Sequence, residues 1–234
     1  MARFRLKLIG IIEETKDTKT FRFGLAANKF KFVPGQFVIA NKMINGKIIR
    51  RAYSISSSPF EKKHIELTIK KVENGIFSNY MHDNAKIGDI VDIDGPYGKF
   101  VYNDGNDDIL LISAGCGVAP LMCIVRYVLE KRLDVNITLM HSCKKPNEMI
   151  FRKKFEELEA NHKNFKYFPT ITRPEGNDWS GTTGRINKNT LKKQIKNKNN
   201  VVVFVSGTIS FGHSVVEMLR EIGMGDERIK EEVY

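Results

Sequence analysis

Two domains in series are predicted, an antiparallel β-barrel followed by an α/β domain with a parallel, Rossmann-like sheet. Three observations lead there. Up to about residue 103 the chain is dense in short strand-like runs separated by Gly, Pro and Asn, as an antiparallel barrel requires. From residue 109 onward, runs of the buried-strand type alternate with helical stretches, the mark of a parallel sheet with crossovers. Between them lies Asn103-Asp104-Gly105-Asn106-Asp107-Asp108, a polar and acidic join. With 234 residues, each half is long enough to bury a core of its own, so the domains are placed at 1–103 and 109–234.

The barrel strands are expected at residues 3–12, 20–24, 37–42, 49–55, 64–72 and 90–93, with one helix at 77–83. In the second half, strands are expected at 109–113, 135–140, 165–171 and 201–205. Helices follow the first of these, through about residue 131, and the last, over 211–222.

No apolar run approaches the roughly 20 residues that span a bilayer, and Met1-Ala2-Arg3-Phe4-Arg5 lacks the apolar stretch of a signal peptide. A soluble, cytoplasmic protein without membrane insertion is the expectation. Cys116, Cys123 and Cys143 are odd in number with no close pair, which indicates neither a disulfide framework nor an iron-sulfur or zinc site. No metal is expected. The five histidines, His141 among them, show no ligand spacing and read as surface or packing residues. Lysine and arginine number 38 against 27 acids, a formal charge of +11, so the field attracts something negative. The cations are dispersed, and the densest run, residues 192–198, lacks interleaved aromatics; it reads as a solvated helix face, and nucleic acid is not the expected partner.

Arg51-Ala52-Tyr53-Ser54 places a permanent cation, a flat aromatic and a hydroxyl on four residues of strand. Arg51 and Tyr53 share a face. Arg51 could grip a diphosphate, Tyr53 stack on a ring system and Ser54 reach a ring nitrogen, a trio that suits a flavin nucleotide. The same run also reads as an ordinary amphipathic edge strand. Gly75 precedes a helix whose first amides are free to bind an anion, and Ser78 adds a hydroxyl in that turn; plain helix capping is the alternative. Gly115-Cys116-Gly117-Val118-Ala119-Pro120 joins an apolar strand to a helix. Its glycines permit a tight turn and close backbone approach, and Pro120 is tolerated where first-turn amides are unbonded.

In order along the chain, Pro34-Gly35-Gln36-Phe37, Arg51-Ala52-Tyr53-Ser54, Gly75-Ile76-Phe77-Ser78-Asn79, Gly95-Pro96-Tyr97-Gly98, the Gly115 to Pro120 run and Glu232-Val233-Tyr234 resemble the ferredoxin-NADP reductase family, closest to its plant-type members. The resemblance implies an FAD-binding barrel and a nucleotide-binding α/β domain. Arg51 and Ser78 would hold the FAD pyrophosphate, Tyr53 would line the isoalloxazine, and Ser54 would bond near N5. Gly115, Gly117 and Pro120 would receive the pyrophosphate of the nicotinamide cofactor, with Cys116 as a small packing group where relatives often have threonine. Thr172-Arg173, with Lys144, Lys145 and Arg185 in neighbouring loops, resembles the hydroxyl-Arg pair of relatives that prefer NADPH. NADH-using relatives carry nearly the same string, and Arg173 could equally sit on a solvated loop.

Ser206-Gly207-Thr208 departs from the family's Cys-Gly-Pro beside the nicotinamide, which puts the contribution of Ser206 to hydride geometry in question. Tyr234 would be a displaceable lid on the flavin, and Glu232 would join Ser54 around N5; a frayed end is the alternative for Tyr234. The implied activity is an FAD-dependent, NADPH-using reductase serving a one-electron carrier, an acidic ferredoxin or flavodoxin. Rivals are the reductase component of an oxygenase, an NAD(P)H:flavin reductase, and a non-catalytic FAD- and nucleotide-binding subunit.

Overall fold

The computed structural model describes residues 2–25, 30–105, 107–174, 176 and 179–234; Asn106 of the acidic join lies outside them. The chain divides into two compact units. The first is Met1–Asn103 with Met122–Glu130, the second Asp104–Leu121 with Lys131–Tyr234.

The first unit contains β1 (Ala2–Thr15), β2 (Thr18–Gly24), β3 (Phe37–Ile44), β4 (Lys47–Ser54), β5 (His64–Lys70), α1 (Ile76–Asp83) and β6 (Ile90–Tyr97). Its six strands are antiparallel in the order β4-β3-β6-β1-β2-β5, and a bridge between Ile55 and Leu67 links the two ends of that order. The core is made by one face of the strands, with Leu6, Leu8, Phe21, Phe23, Val38, Ile65, Leu67 and Ile93 buried, and α1 adds Phe77 and Met81. Asn45 and Gly46 turn β3 into β4 with positive φ at both positions (49° and 74°), the conformation a two-residue hairpin needs to match strand twist.

In β5 the outward residues Glu66 and Thr68 are buried as well. Thr68 Oγ1 lies 2.9 Å from both Thr20 Oγ1 and Ser56 Oγ, and Glu66 is paired with arginines, so the polar face is satisfied rather than solvated.

The second unit is built on β7 (Asp108–Ala114), α2 (Val118–Lys131), β8 (Ile137–Cys143), α3 (Arg152–Asn161), β9 (Phe165–Ile171), β10 (Thr182–Thr183), α4 (Lys188–Gln194), β11 (Val201–Gly207), α5 (Ile209–Glu221) and β12 (Ile229–Val233). Residues 122–130 of α2 group with the first unit. All six strands are parallel, ordered β10-β9-β8-β7-β11-β12. Leu110, Ile112, Val203 and Val205 pack with Val215 and Leu219 of α5. The order runs outward in opposite directions from β7, so the carboxyl ends of β7 and β11 form a topological switch point, where ligands enter open α/β sheets. Lys192 and Lys193 are exposed in the last turn of α4, opposite the buried Leu191. Among the described residues, no helix is long and apolar enough to cross a membrane.

Candidate functional site

In the first unit, β4 carries Arg51, Tyr53 and Ser54, paired with Ala40, Val38 and Phe37 of β3. Arg51 is exposed; its Nη1 donates to the Arg50 carbonyl at 2.7 Å, and it forms no ion pair among the described residues. Tyr53 is half-buried, its ring 5.5 Å from that of Phe77 at 39°, so the first turn of α1 supports it. Ser54 is half-buried at the end of the strand.

Gly75 caps α1. A Cβ there would come within 2.4 Å of Ser78 Oγ and of Val72 Cγ2, so any side chain would have to push these two aside. The buried Ser78 hydroxyl donates to the Gly75 carbonyl (3.2 Å) and accepts from Val72 N–H (3.4 Å), and is thus engaged within the turn. The first i→i−4 bond runs from Asn79 N–H to Gly75, leaving the amides of Ile76, Phe77 and Ser78 ahead of it, with no acidic residue in the first turn. An exposed guanidinium with no ion pair among the described residues, a supported aromatic ring and a helix start without an acidic residue suit an anionic dinucleotide.

In the second unit, Gly115–Gly117 forms a 3-10 turn between β7 and α2. Gly115 has φ +53° with open space where a Cβ would stand, which lets a phosphate group approach the backbone closely. Gly117 is needed for the opposite reason: a Cβ would lie 2.3 Å from the Ser206 carbonyl oxygen. Pro120 occupies the first turn of α2, where its missing N–H costs nothing. These are the features of a dinucleotide turn at the switch point.

Ser206 is fully buried at the end of β11, and its Oγ finds no hydrogen-bond partner among the described residues; the same holds for Ser113, its register neighbour on β7. Glu232, half-buried on β12, is the register neighbour of Ser206 on the other side. Tyr234 is fastened rather than frayed. Its N–H donates to the Gly207 carbonyl (3.2 Å), and its hydroxyl lies 3.1 Å from Cys116 Sγ. Desolvation around the hydroxyl, with Cys116 beside it, holds the phenol above its usual range.

At the carboxyl ends of β8 and β9, Arg173 N–H donates to the Lys144 carbonyl and Thr172 N–H to that of Cys143, both at 2.9 Å. Gly184, bonded to Ile171, brings Arg185 to the same end. Lys144, Arg173 and Arg185 are exposed there and Thr172 is half-buried.

One residue passed over in the sequence belongs with the turn. His141, fully buried on β8, has Nε2 3.2 Å from the Gly115 carbonyl, and burial pushes its pKa down to about 4, so the ring is neutral at physiological pH. The available signal was a histidine directly after the expected strand 135–140, near the carboxyl end of β8.

The family described as "Oxidoreductase FAD-binding domain" matches residues 5–102, and "Oxidoreductase NAD-binding domain" matches residues 111–217. The glycine betaine monooxygenase reductase subunit of Pseudomonas aeruginosa is 31% identical over 236 residues, covering 99% of this chain. The chain spans 64% of that relative's length. Its fold matches the FAD/NAD-binding domain of the Vibrio cholerae nitric oxide dioxygenase with a TM-score of 0.89 at 23% identity, covering 98% of both chains. A ferredoxin NADP+ reductase from Neisseria gonorrhoeae, solved with FAD and NADP, matches with a TM-score of 0.85 at 21% identity, covering 100% of this chain and 99% of the other. With an FAD-binding and then an NAD-binding oxidoreductase domain in one chain, on this fold, the protein belongs to the ferredoxin-NADP reductase family of flavoprotein oxidoreductases.

Proposed function

We propose that this chain is an NAD(P)H-dependent flavoprotein reductase, taking electrons in pairs from a reduced nicotinamide cofactor and delivering them singly to a protein carrier. The observation that carries the reading is the succession of the two oxidoreductase domains in one chain. Bound FAD would supply the chemistry of hydride uptake and one-electron release. What the chain contributes is binding, orientation and electrostatics.

Arg51 offers its exposed guanidinium to the FAD diphosphate, and the amides at the start of α1 offer further donors to it. Ser78 contributes by holding that helix start in shape, since its hydroxyl is engaged with Gly75 and Val72. Tyr53 presents a supported ring to the isoalloxazine, and Ser54 a hydroxyl toward N5. The turn at Gly115, Cys116 and Gly117, with the start of α2, receives the diphosphate of the nicotinamide cofactor. Ser206 and Glu232 are assigned to the region of hydride transfer, and Tyr234 to a ring that the nicotinamide displaces. Thr172, Arg173, Lys144 and Arg185 gather hydroxyl and positive charge for an adenosine 2'-phosphate, which favours NADPH over NADH.

The charge of +11 suits an acidic ferredoxin or flavodoxin as acceptor. A second reading, the reductase component of an oxygenase, is favoured by the relative from Pseudomonas aeruginosa, which is named as such a subunit. Three cysteines, none of them in a disulfide among the described residues, fit a reducing, cytoplasmic setting for either.

Anaerobic titration of the purified protein tests the reading. NADPH should bleach the visible flavin band at equimolar addition, and an acidic ferredoxin should restore it at a rate that falls with salt. Protein that retains no flavin, or flavin that neither NADPH nor NADH bleaches, would refute the assignment.

A further inference from the structure

His141 lies beneath the Gly115–Gly117 turn, and its surroundings fix its proton. The Gly115 carbonyl can only accept, so the Nε2 atom 3.2 Å away carries the hydrogen. Nδ1 is then an acceptor 3.4 Å from the Tyr167 hydroxyl, whose single hydrogen has this nitrogen and the more distant, weaker acceptor Met149 Sδ (3.9 Å) within reach. Cys143 Sγ, 3.3 Å from Nε2, completes the polar surroundings. His141, Tyr167 and Cys143 are all buried on adjacent strands, so water does not compete for these bonds.

The same Gly115 carbonyl also accepts from Val118 N–H, the bond that closes the 3-10 turn. A carbonyl has two lone pairs, and here both are used. The peptide that follows Gly115 is trans, with C=O and N–H on opposite edges of one plane. Drawing the carbonyl inward to His141 therefore turns the Cys116 N–H outward, away from the sheet.

We propose that His141 is a positioning residue for the nicotinamide-nucleotide turn: through its Nε2–H it holds the Gly115 carbonyl inward, which aims the Cys116 amide at the anionic diphosphate of the incoming cofactor. Tyr167 acts one step further back, fixing the tautomer through Nδ1. This rests on the assignment of the turn to the nicotinamide cofactor, and it adds a residue to which the motif of the turn does not extend.

The test compares His141→Leu, which removes the donor, with His141→Gln, whose side-chain amide can restore one. Binding of oxidised NADP and NAD is read by flavin difference spectra, alongside FAD content and thermal midpoint. His141→Leu should weaken nucleotide binding about tenfold, with FAD content kept and the rate at saturating nucleotide little changed, the value of one oriented hydrogen bond at the upper end of its range. His141→Gln should return to within about threefold of the unsubstituted protein. If the leucine variant does not fold, Tyr167→Phe keeps the imidazole and removes its anchor; a loss of about threefold in nucleotide affinity is expected, and an unchanged affinity overturns the proposal.

The bond can also be read without nucleotide, since long-range nitrogen-proton spectra of the imidazole should place the hydrogen on Nε2. A hydrogen on Nδ1 overturns the proposal, as does a leucine variant that binds nucleotide like the unsubstituted protein. Failure of the unsubstituted protein to bind either nucleotide would bring down the functional reading, and this proposal with it.

Discussion

The sulfur of Cys116 and the hydroxyl of Tyr234 stand 3.1 Å apart, joining the middle of the glycine-rich turn to a side chain 118 positions further on. Main-chain pairing brings them together: β12 runs alongside β11, Val233 pairs with Gly207, and Tyr234 N–H bonds the Gly207 carbonyl. The tyrosine thus covers the residue at the centre of the turn that is assigned to the nicotinamide cofactor.

If nucleotide entry displaces Tyr234, removing the side chain should tighten binding of the oxidised cofactor. Tyr234→Ser is expected to tighten it and to slow product release. From the sequence alone Tyr234→Phe should behave as the unsubstituted protein, because the ring remains. The bond to Cys116 changes that expectation to an intermediate gain of about two- to threefold, the low end for one neutral hydrogen bond. Flavin-nicotinamide difference spectra at graded NADP+ measure both variants. Serine and unsubstituted proteins that bind alike would remove Tyr234 from the site.

Arg51→Ala should lower FAD affinity about tenfold to a hundredfold, because a charge-assisted contact is worth roughly 1.5 to 3 kcal/mol. Ser78→Ala acts differently. Its hydroxyl bridges the Gly75 carbonyl and Val72 N–H, so the loss should fall on the stability of the α1 start, about 1 kcal/mol, with a smaller effect on FAD. Flavin release on dilution and chemical unfolding separate the two. A serine variant that loses FAD as readily as the arginine variant would move the diphosphate contact to Ser78.

Arg173→Ala should raise the Michaelis constant for NADPH several-fold and leave that for NADH nearly alone, since only NADPH carries the 2'-phosphate. The Arg173 main chain is bonded to Lys144, so the loop should keep its course without the side chain. Equal losses with both cofactors would assign Arg173 to the fold or to the shared part of the nucleotide.

The strands with strong apolar patterning were legible, and those without it were not. β9 was read over its whole length and β7 to within a residue at each end. β1 runs three residues past its expected end, because Glu13 and Thr15 pair with Lys19 and Thr18 in a polar hairpin that shows no hydrophobic alternation. β12, Ile-Lys-Glu-Glu-Val, is a strand because the open edge of β11 needs main-chain partners. The glycines of the turn announced themselves, but the role of His141 did not. Its bond to Gly115 spans 26 positions and depends on β7 and β8 lying side by side, which no local pattern encodes. The engagement of Ser78 within its own turn was the alternative that the sequence left open, since the same Gly-x-x-Ser spacing serves a cap and a phosphate site alike.

Glu66 gives the first unit a pH dependence that can be worked out in sign. Its side chain is 3% exposed on β5, with Arg126 Nη1 2.5 Å from one oxygen and Arg22 Nε 2.8 Å from the other. Burial alone would push the carboxyl up, but the two guanidinium groups outweigh it and hold the pKa below the usual value of 4.5. A carboxylate whose folded pKa is depressed contributes stability that is fully present above its unfolded value and is lost as pH falls through the folded one. Glu66→Gln should therefore cost about 3 kcal/mol at neutral pH, the lower end for breaking a buried pair, because both arginines keep some contact with water. The penalty should shrink as the solution is taken below the usual value of 4.5 and down through the depressed folded one, where the native carboxyl is itself becoming neutral. Urea unfolding of both proteins at neutral and acid pH measures the two gaps. A penalty that stays the same across that range would mean that Glu66 matters through its shape and hydrogen bonds, with its charge contributing nothing.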